Sequence, residues 1–187
     1  MSQRDPTRAQ EIRAEIGRYL ETAWMTDDER AAHFGLPAGC RMRERAKILF
    51  PERLEIGECV WIGEGAVLDA SGGLSIGAHT SVGVNVMVWT HSTALAAIGM
   101  RNEIGSPYRV ERLVSIGSGC FIGGPSVILP GVTIGDRSIV MPMSVVSKDV
   151  PSRVILGGSA PTIAAELSNR NLHAMFQMNG LAPPTDL

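Results

Sequence analysis

The chain has 187 residues, with 17 Lys and Arg against 19 Asp and Glu for a net charge of −2, and is 44% hydrophobic but only 5% aromatic. That length gives one domain a core of its own without disulfides or a metal, and the near-neutral balance argues against a nucleic-acid footprint or a polybasic membrane surface. Its 21 glycines and 11 prolines accompany too many aliphatics for a disordered chain, and they lack the every-third-residue glycine of collagen.

In chain order, the opening MSQRDPTRAQEIR is polar, unlike a signal peptide, and no run approaches the roughly eighteen apolar residues of a membrane span. A cytoplasmic location without membrane insertion is expected. Thr7 to Trp24 reads as a helix with Ile12, Ile16, Leu20 and Trp24 on one stripe. Thr26 and Glu29 form a T-x-x-E capping box that starts a short helix reaching about His33. The cysteines, Cys40, Cys59 and Cys120, are odd in number and too widely spaced for a CxxC pair, so they read as small reduced core residues.

From Leu36 a period of six takes over. Aliphatics recur at Met42 and Ile48, at Ile56, Ile62 and Leu68, at Ile76, Val82 and Val88, and again from Ile116 through Ile122, Ile128, Ile134 and Val140 to Val146. The residue four further on is nearly always small, and glycine often follows the aliphatic, as at Gly57, Gly77 and Gly117, where it suits a bend or a close backbone approach. Six residues fit neither a helix nor a simple alternating strand. They fit a very short strand and a corner, three of which make one coil of a triangular prism stacked by strand pairing. Ile48 to Ile56 and Leu68 to Ile76 are each eight residues apart, so ILFPERLEIG and LDASGGLSIG should stack with the same two-residue bulge. Five coils are expected, and the chain divides into a helical segment over 1–35, the solenoid over 36–151 and a C-terminal extension over 152–187. A final helix is expected from about Thr162 to Met178, with Ile163, Leu167, Ala174 and Met178 as its main face, Leu172 and Phe176 on the other side, and Gly180 as its stop. The helices are expected to cap the open prism ends or to pack subunits.

The repeat pauses once: Val88 and Ile116 are 28 residues apart where six would be regular, leaving a protruding loop over 92–115. His91 stands at its foot, in VWTHSTAL. The stretch IGAHTSVGVNVMVWTHS, then LPGVTIGD followed by SVVSKDVP, resembles the hexapeptide-repeat acyltransferases, nearest to the maltose, galactoside and polysaccharide O-acetyltransferase branch, over roughly residues 36 to 163. The resemblance implies an all-β solenoid, a left-handed parallel β-helix with N- and C-terminal helical caps. Handedness comes from the family and not from the spacing, because parallel crossovers are otherwise right-handed.

The resemblance further implies acetyl-CoA as co-substrate, a sugar or polysaccharide-type acceptor, and a homotrimer with active sites at the subunit interfaces. A histidine just before the protruding loop is the family's catalytic base, which assigns that role to His91. The chemistry needs such a group: a hydroxyl attacking a thioester must lose its proton as the bond forms, and imidazole accepts it near neutral pH. Asp69, in the stacked coil on the same face, either binds acceptor hydroxyls, orients the imidazole or forms a turn. Arg101, Asn102, Glu103 and Tyr108 in the loop are candidate acceptor contacts.

For acetyl-CoA, the family places the pantetheine arm along backbone of the later coils, which points to Gly123 and Gly124. Ser147 and Lys148 match the family's T-K pair near the nucleotide end. Met141, Pro142 and Met143 replace the family's small G-A-G residues and would narrow the arm's tunnel, while Gly157 to Pro161 replace its closing G-N-P-A-K. No metal site is expected: the zinc enzyme of this architecture, γ-class carbonic anhydrase, needs three convergent histidines, and the H-x-x-x-x-H pair is missing. Two rival readings are a sugar N-acyltransferase on the same scaffold and a non-catalytic β-helix assembly protein.

Overall fold

The computed structural model describes residues 6–157 and 169–183. From Met42 to Val146 every aliphatic of the six-residue beat lies on a strand of two or three residues, and these strands stack into three parallel faces. The first face has six strands, from Arg41–Met42 to Ile155–Leu156; the second has five, from Lys47–Leu49 to Val145–Val146; the third has four, from Leu54–Ile56 to Thr133–Ile134. In-register pairing lines the aliphatics into one ladder per face: Ile62, Val82, Ile122 and Val140; Leu68, Val88, Ile128 and Val146; Ile56, Ile76, Ile116 and Ile134. All but the half-buried Ile56 are at most 1% exposed, and burying each such side chain contributes about 1.5–3 kcal/mol. The result is a left-handed parallel β-helix. Its pairing continues beyond Pro151, since Ile155–Leu156 adds a strand to Ile139–Val140 and begins a sixth coil.

The small fourth residues fill the interior as expected, with Cys40, Ala66, Thr80, Cys120, Ser138 and Ser144 all buried. Cys59 departs from the expected core role: it is exposed, whereas burial pushes the Cys40 thiol above its usual range. The reason lies in the turn. At the regular corners between the third and first and between the first and second faces, the third residue after the inward aliphatic usually has positive φ, and Cys59 occupies that slot along with Arg45, His79, Asn85, Arg137, Met143 and Arg153.

The glycines that follow the aliphatics serve the other of the two suggested purposes. None of Gly57, Gly63, Gly77, Gly83, Gly117, Gly123 and Gly135 has positive φ. A Cβ on any of them would instead lie 2.5–2.7 Å from a backbone atom of the next coil. They permit close stacking rather than bending.

The two eight-residue spacings stack as the sequence suggested, Leu49 on Asp69 and Leu54 on Leu74. One coil later the long insertion leaves from this same corner, between Met87–Val88 of the second face and Val114–Ile116 of the third. A corner already widened by a bulge is where the loop grows.

At the N-terminal end, helix α1 (Pro6–Glu21) runs through a 3₁₀ turn (Thr22–Trp24) to α2 (Asp27–His33). The Glu29 carboxylate accepts the Thr26 N–H at 2.8 Å, which holds its pKa below the usual range. The apolar stripe does not face the prism: Ile12, Ile16, Leu20 and Trp24 are all exposed. Tyr19 docks the helix instead, its hydroxyl donating to Ile48 O at 2.5 Å and accepting from Ile48 N–H at 2.8 Å. Arg30, 3% exposed, plugs the junction by donating to the carbonyls of Thr22, Met25 and Met42. A short helix α3 (Ala94–Ile98) lies in the insertion, and α4 (Asn169–Met178) closes the described chain. Residues 162–168 of the expected last helix lie outside the described residues. Within α4, Met178 of the expected main face is 82% exposed, whereas Phe176 is fully buried.

Candidate active site

The second-to-third corner carries the bulge of coils one and two and the foot of the insertion in coil three, so Phe50, Asp69 and His91 come from three successive layers. Asp69 ends a strand of the second face, and Ser71 two residues on turns back to it, its N–H donating to Asp69 Oδ1 at 3.1 Å. This Asx-type turn is what the bulge sequence DAS encodes. His91 is held from the other side by antiparallel pairing of His91–Ser92 with Val110–Glu111, which closes the base of the insertion.

Asp69 is fully buried, and its carboxylate has four donors. Oδ2 accepts from Thr90 N–H at 3.0 Å, Thr90 Oγ1 at 3.2 Å and His91 Nδ1 at 2.6 Å, while Oδ1 takes Ser71 N–H. Burial works to raise its pKa, but the hydrogen bonds from Thr90, His91 and Ser71 outweigh it and hold the carboxyl below its ordinary value. An ionised carboxylate only accepts, so His91 donates from Nδ1, and in a neutral imidazole the lone pair then lies on Nε2. Ser71 Oγ stands 3.0 Å from the same Nδ1, and Trp89 meets the imidazole edge-on with centroids 6.1 Å apart. The His91 side chain keeps 22% of its surface open. The pair therefore holds an oriented imidazole with access to solvent.

Asp69 does not fit the acceptor contact considered for it, because it has no exposed surface and its oxygens are already engaged. Of the loop candidates, Asn102 and Glu103 line a groove of about 530 Å³ beside the histidine, together with Phe50, Arg53, Ser71 and Glu111. Arg101 and Tyr108 are not part of that lining. Tyr108 packs edge-on against Phe176 of α4, and Arg112 donates to Asn179, which ties the insertion to the C-terminal helix.

The candidate acetyl-CoA residues fall into two groups. Ser147 and Lys148 follow the last strand of the second face and share His91's corner, two coils further on. They are exposed and line a shallow hollow with Val145, Val154 and Ile155, and Lys148 has no ion pair among the described residues. Gly123, Gly124 and Met141 sit instead at the first-to-second corner and are not brought to His91 within one chain. The close approach at these glycines is made by the protein itself: a Cβ on Gly123 would meet Pro142 and one on Gly124 would meet the Val84 backbone. Met141 and Met143 are exposed, by 45% and 71%. Among the described residues no group of three His, Cys, Asp or Glu side chains converges as a metal site.

Ser71, Thr90 and Arg53 were not anticipated. Arg53 donates to the Ser71 carbonyl and pairs with Glu111 at 3.2 Å, bracing the bulge against the insertion. The D-x-S turn signal was present for Ser71, whereas nothing local marks Thr90 or Arg53, whose partners lie in other coils.

Residues 113–148 match the family model described as bacterial transferase hexapeptide (six repeats). Over these residues the six-residue beat of the chain is similar to that family's repeat. Among relatives of this chain, the putative colanic acid biosynthesis acetyltransferase WcaF of Escherichia coli K12 is 27% identical over 126 residues, 67% of this chain and 65% of that one. The galactoside O-acetyltransferase of the same organism is 39% identical over 64 residues, 34% of this chain and 32% of that one. The chain thus matches less than two thirds of the length of either relative. The solved hexapeptide-repeat containing acetyltransferase VCA0836 of Vibrio cholerae superposes with a TM-score of 0.69 at 27% identity, over 85% of this chain and 92% of that one. VCA0836 is also known in complex with acetyl coenzyme A, and that structure superposes with a TM-score of 0.64.

Proposed function

We propose that this protein is an acetyl-CoA-dependent O-acetyltransferase that acylates a hydroxyl of a sugar or polysaccharide-type acceptor. The observation that supports the reading is the buried Asp69 carboxylate bonded to Nδ1 of the partly open His91, next to a groove lined by its neighbours Ser71 and Glu111. His91 Nε2 takes the acceptor hydroxyl proton as the oxygen attacks the acetyl carbonyl. The tetrahedral intermediate then expels the CoA thiolate, which the imidazolium protonates, leaving an acetyl ester and free CoA. Asp69 stabilises the imidazolium between the two steps and holds the tautomer that starts them. In this reading Lys148, which has no ion pair among the described residues, meets a phosphate of the nucleotide.

Self-association into a homotrimer with sites between subunits belongs to this reading. Val84, Phe121, Met141, Met143 and Val145 leave an apolar strip open on the prism, and the two groups of donor-site residues stand at different corners, so a site using both draws on two copies. Among the described residues no helix is long and apolar enough to cross a membrane, in keeping with a cytoplasmic setting.

Calorimetric titration with acetyl-CoA, followed by assays of matched hydroxyl and amino sugars, tests the reading. Binding and ester formation are expected. Absence of binding at millimolar ligand favours the non-catalytic assembly protein, and amide formation alone favours the N-acyltransferase.

A further inference from the structure

Phe50 is a large aromatic in the wrong place for a core residue. It is 41% exposed, its backbone is left-handed at φ 57 and ψ 57, and it stands outside the slot that carries positive φ at the regular corners. A bulky side chain in that conformation is strained, and such strain persists where the surroundings impose it, often at a binding site. Here the ring lines the same groove as Ser71, the hydroxyl beside His91 Nδ1.

Around the ring the groove is polar. Arg53 and Arg109 both engage Glu111, at 3.2 and 3.0 Å. Glu52 and Glu103 have no ion pair among the described residues, and Asn102 adds an amide. An exposed aromatic face among carboxylates and an amide suits a ligand with an apolar C–H face and a rim of hydroxyls, that is, a pyranose ring. Three carboxylates against two guanidiniums line the groove, which disfavours an acidic ring. Phe50 lies two coils from His91, about 10 Å at the roughly 4.8 Å spacing of paired strands, which is more than one pyranose spans.

Resting on the proposed function, we propose that Phe50 is the platform of a second sugar subsite, so that the acceptor is a neutral disaccharide or longer glycan acetylated on the ring nearest His91.

The test compares kcat/KM, from acetyl-CoA-dependent thiol release, for glucose, galactose and N-acetylglucosamine with neutral di- and trisaccharides built from them, and with glucuronic acid-containing disaccharides. Wild type should favour neutral disaccharides over the matching monosaccharides by about 10-fold or more and should disfavour the acidic ones. Phe50→Asn removes the ring yet tolerates left-handed backbone, so the melting temperature should hold or rise. Its ratio of disaccharide to monosaccharide kcat/KM should fall to within about 2-fold of unity, while Phe50→Trp should retain the preference. A wild type indifferent to acceptor length or preferring acidic sugars, or a Phe50→Asn variant that keeps the preference or loses monosaccharide turnover equally, overturns the subsite. If wild type acetylates none of these sugars although it binds acetyl-CoA, the proposed function falls as well.

Discussion

Replacing Asp69 by Asn separates an orienting carboxylate from a turn-forming side chain. In the wild type the buried carboxylate accepts four hydrogen bonds, from Ser71 N–H, Thr90 N–H, Thr90 Oγ1 and His91 Nδ1. Asparagine keeps one acceptor oxygen and turns an amide N–H₂ toward the remaining donors. Leaving one buried donor unsatisfied costs about 1–3 kcal/mol, and losing charge assistance on the others brings the total to roughly 2–4 kcal/mol. In a domain of this size that lowers Tm by about 5–15 °C. With His91 no longer held in the Nδ1–H tautomer, kcat should fall by about 10²- to 10⁴-fold while acetyl-CoA affinity stays within about 2-fold.

The pH dependence of stability has a definite sign. The folded Asp69 carboxyl is held below its ordinary value, so its contribution is fully present above the unfolded carboxylate pKa of about 3.9 and fades as pH falls through the folded value. Thermal melts of wild type and Asp69→Asn should therefore differ most at pH 5–7 and converge in more acidic buffer. A variant with wild-type kcat, or a Tm gap that does not narrow on acidification, would refute the assignment.

Gly83→Ala should lower stability by about 1–3 kcal/mol in denaturant titration, since the new methyl meets Ile122 O at 2.6 Å in the next coil; an unchanged midpoint would show that the coils part readily. Arg30→Met should cost about 3 kcal/mol in the same titration by leaving the Thr22, Met25 and Met42 carbonyls without their buried donor. Protease sensitivity should appear first between α1 and α2 in that variant. Lys148→Ala should raise the acetyl-CoA KM by about 3- to 30-fold with kcat little changed; an unaltered KM would remove Lys148 from the donor site.

The solenoid was legible because its period comes from a local rule repeated many times: one aliphatic inward and one small residue beside it, as at Ile62 and Ala66 or Ile122 and Ser126. The equal spacings Ile48 to Ile56 and Leu68 to Ile76 even gave the stacking register. Purposes were harder to read than positions. Glycine after an aliphatic signals a bend as readily as a close approach, and only the backbone of the next coil distinguishes them. Helix faces misled for a related reason. The stripe from Ile12 to Trp24 is periodic, but Tyr19 docks the helix because its hydroxyl reaches the Ile48 backbone, a partner that periodicity does not encode. At the site, His91 stood out by its place before the insertion and by family resemblance. Thr90, Ser71 and Arg53 acquire their roles only when three coils are stacked.

The central claim is that His91, oriented by Asp69, moves the proton in acetyl transfer from acetyl-CoA to a sugar hydroxyl. The most direct measurement follows radiolabelled acetyl from acetyl-CoA into base-labile sugar ester, with wild type and His91→Ala side by side and acetyl-CoA affinity determined for both. Ester formation by wild type is expected, with kcat lowered about 10²- to 10⁴-fold in the variant and acetyl-CoA affinity nearly unchanged. Full activity in His91→Ala would contradict the claim.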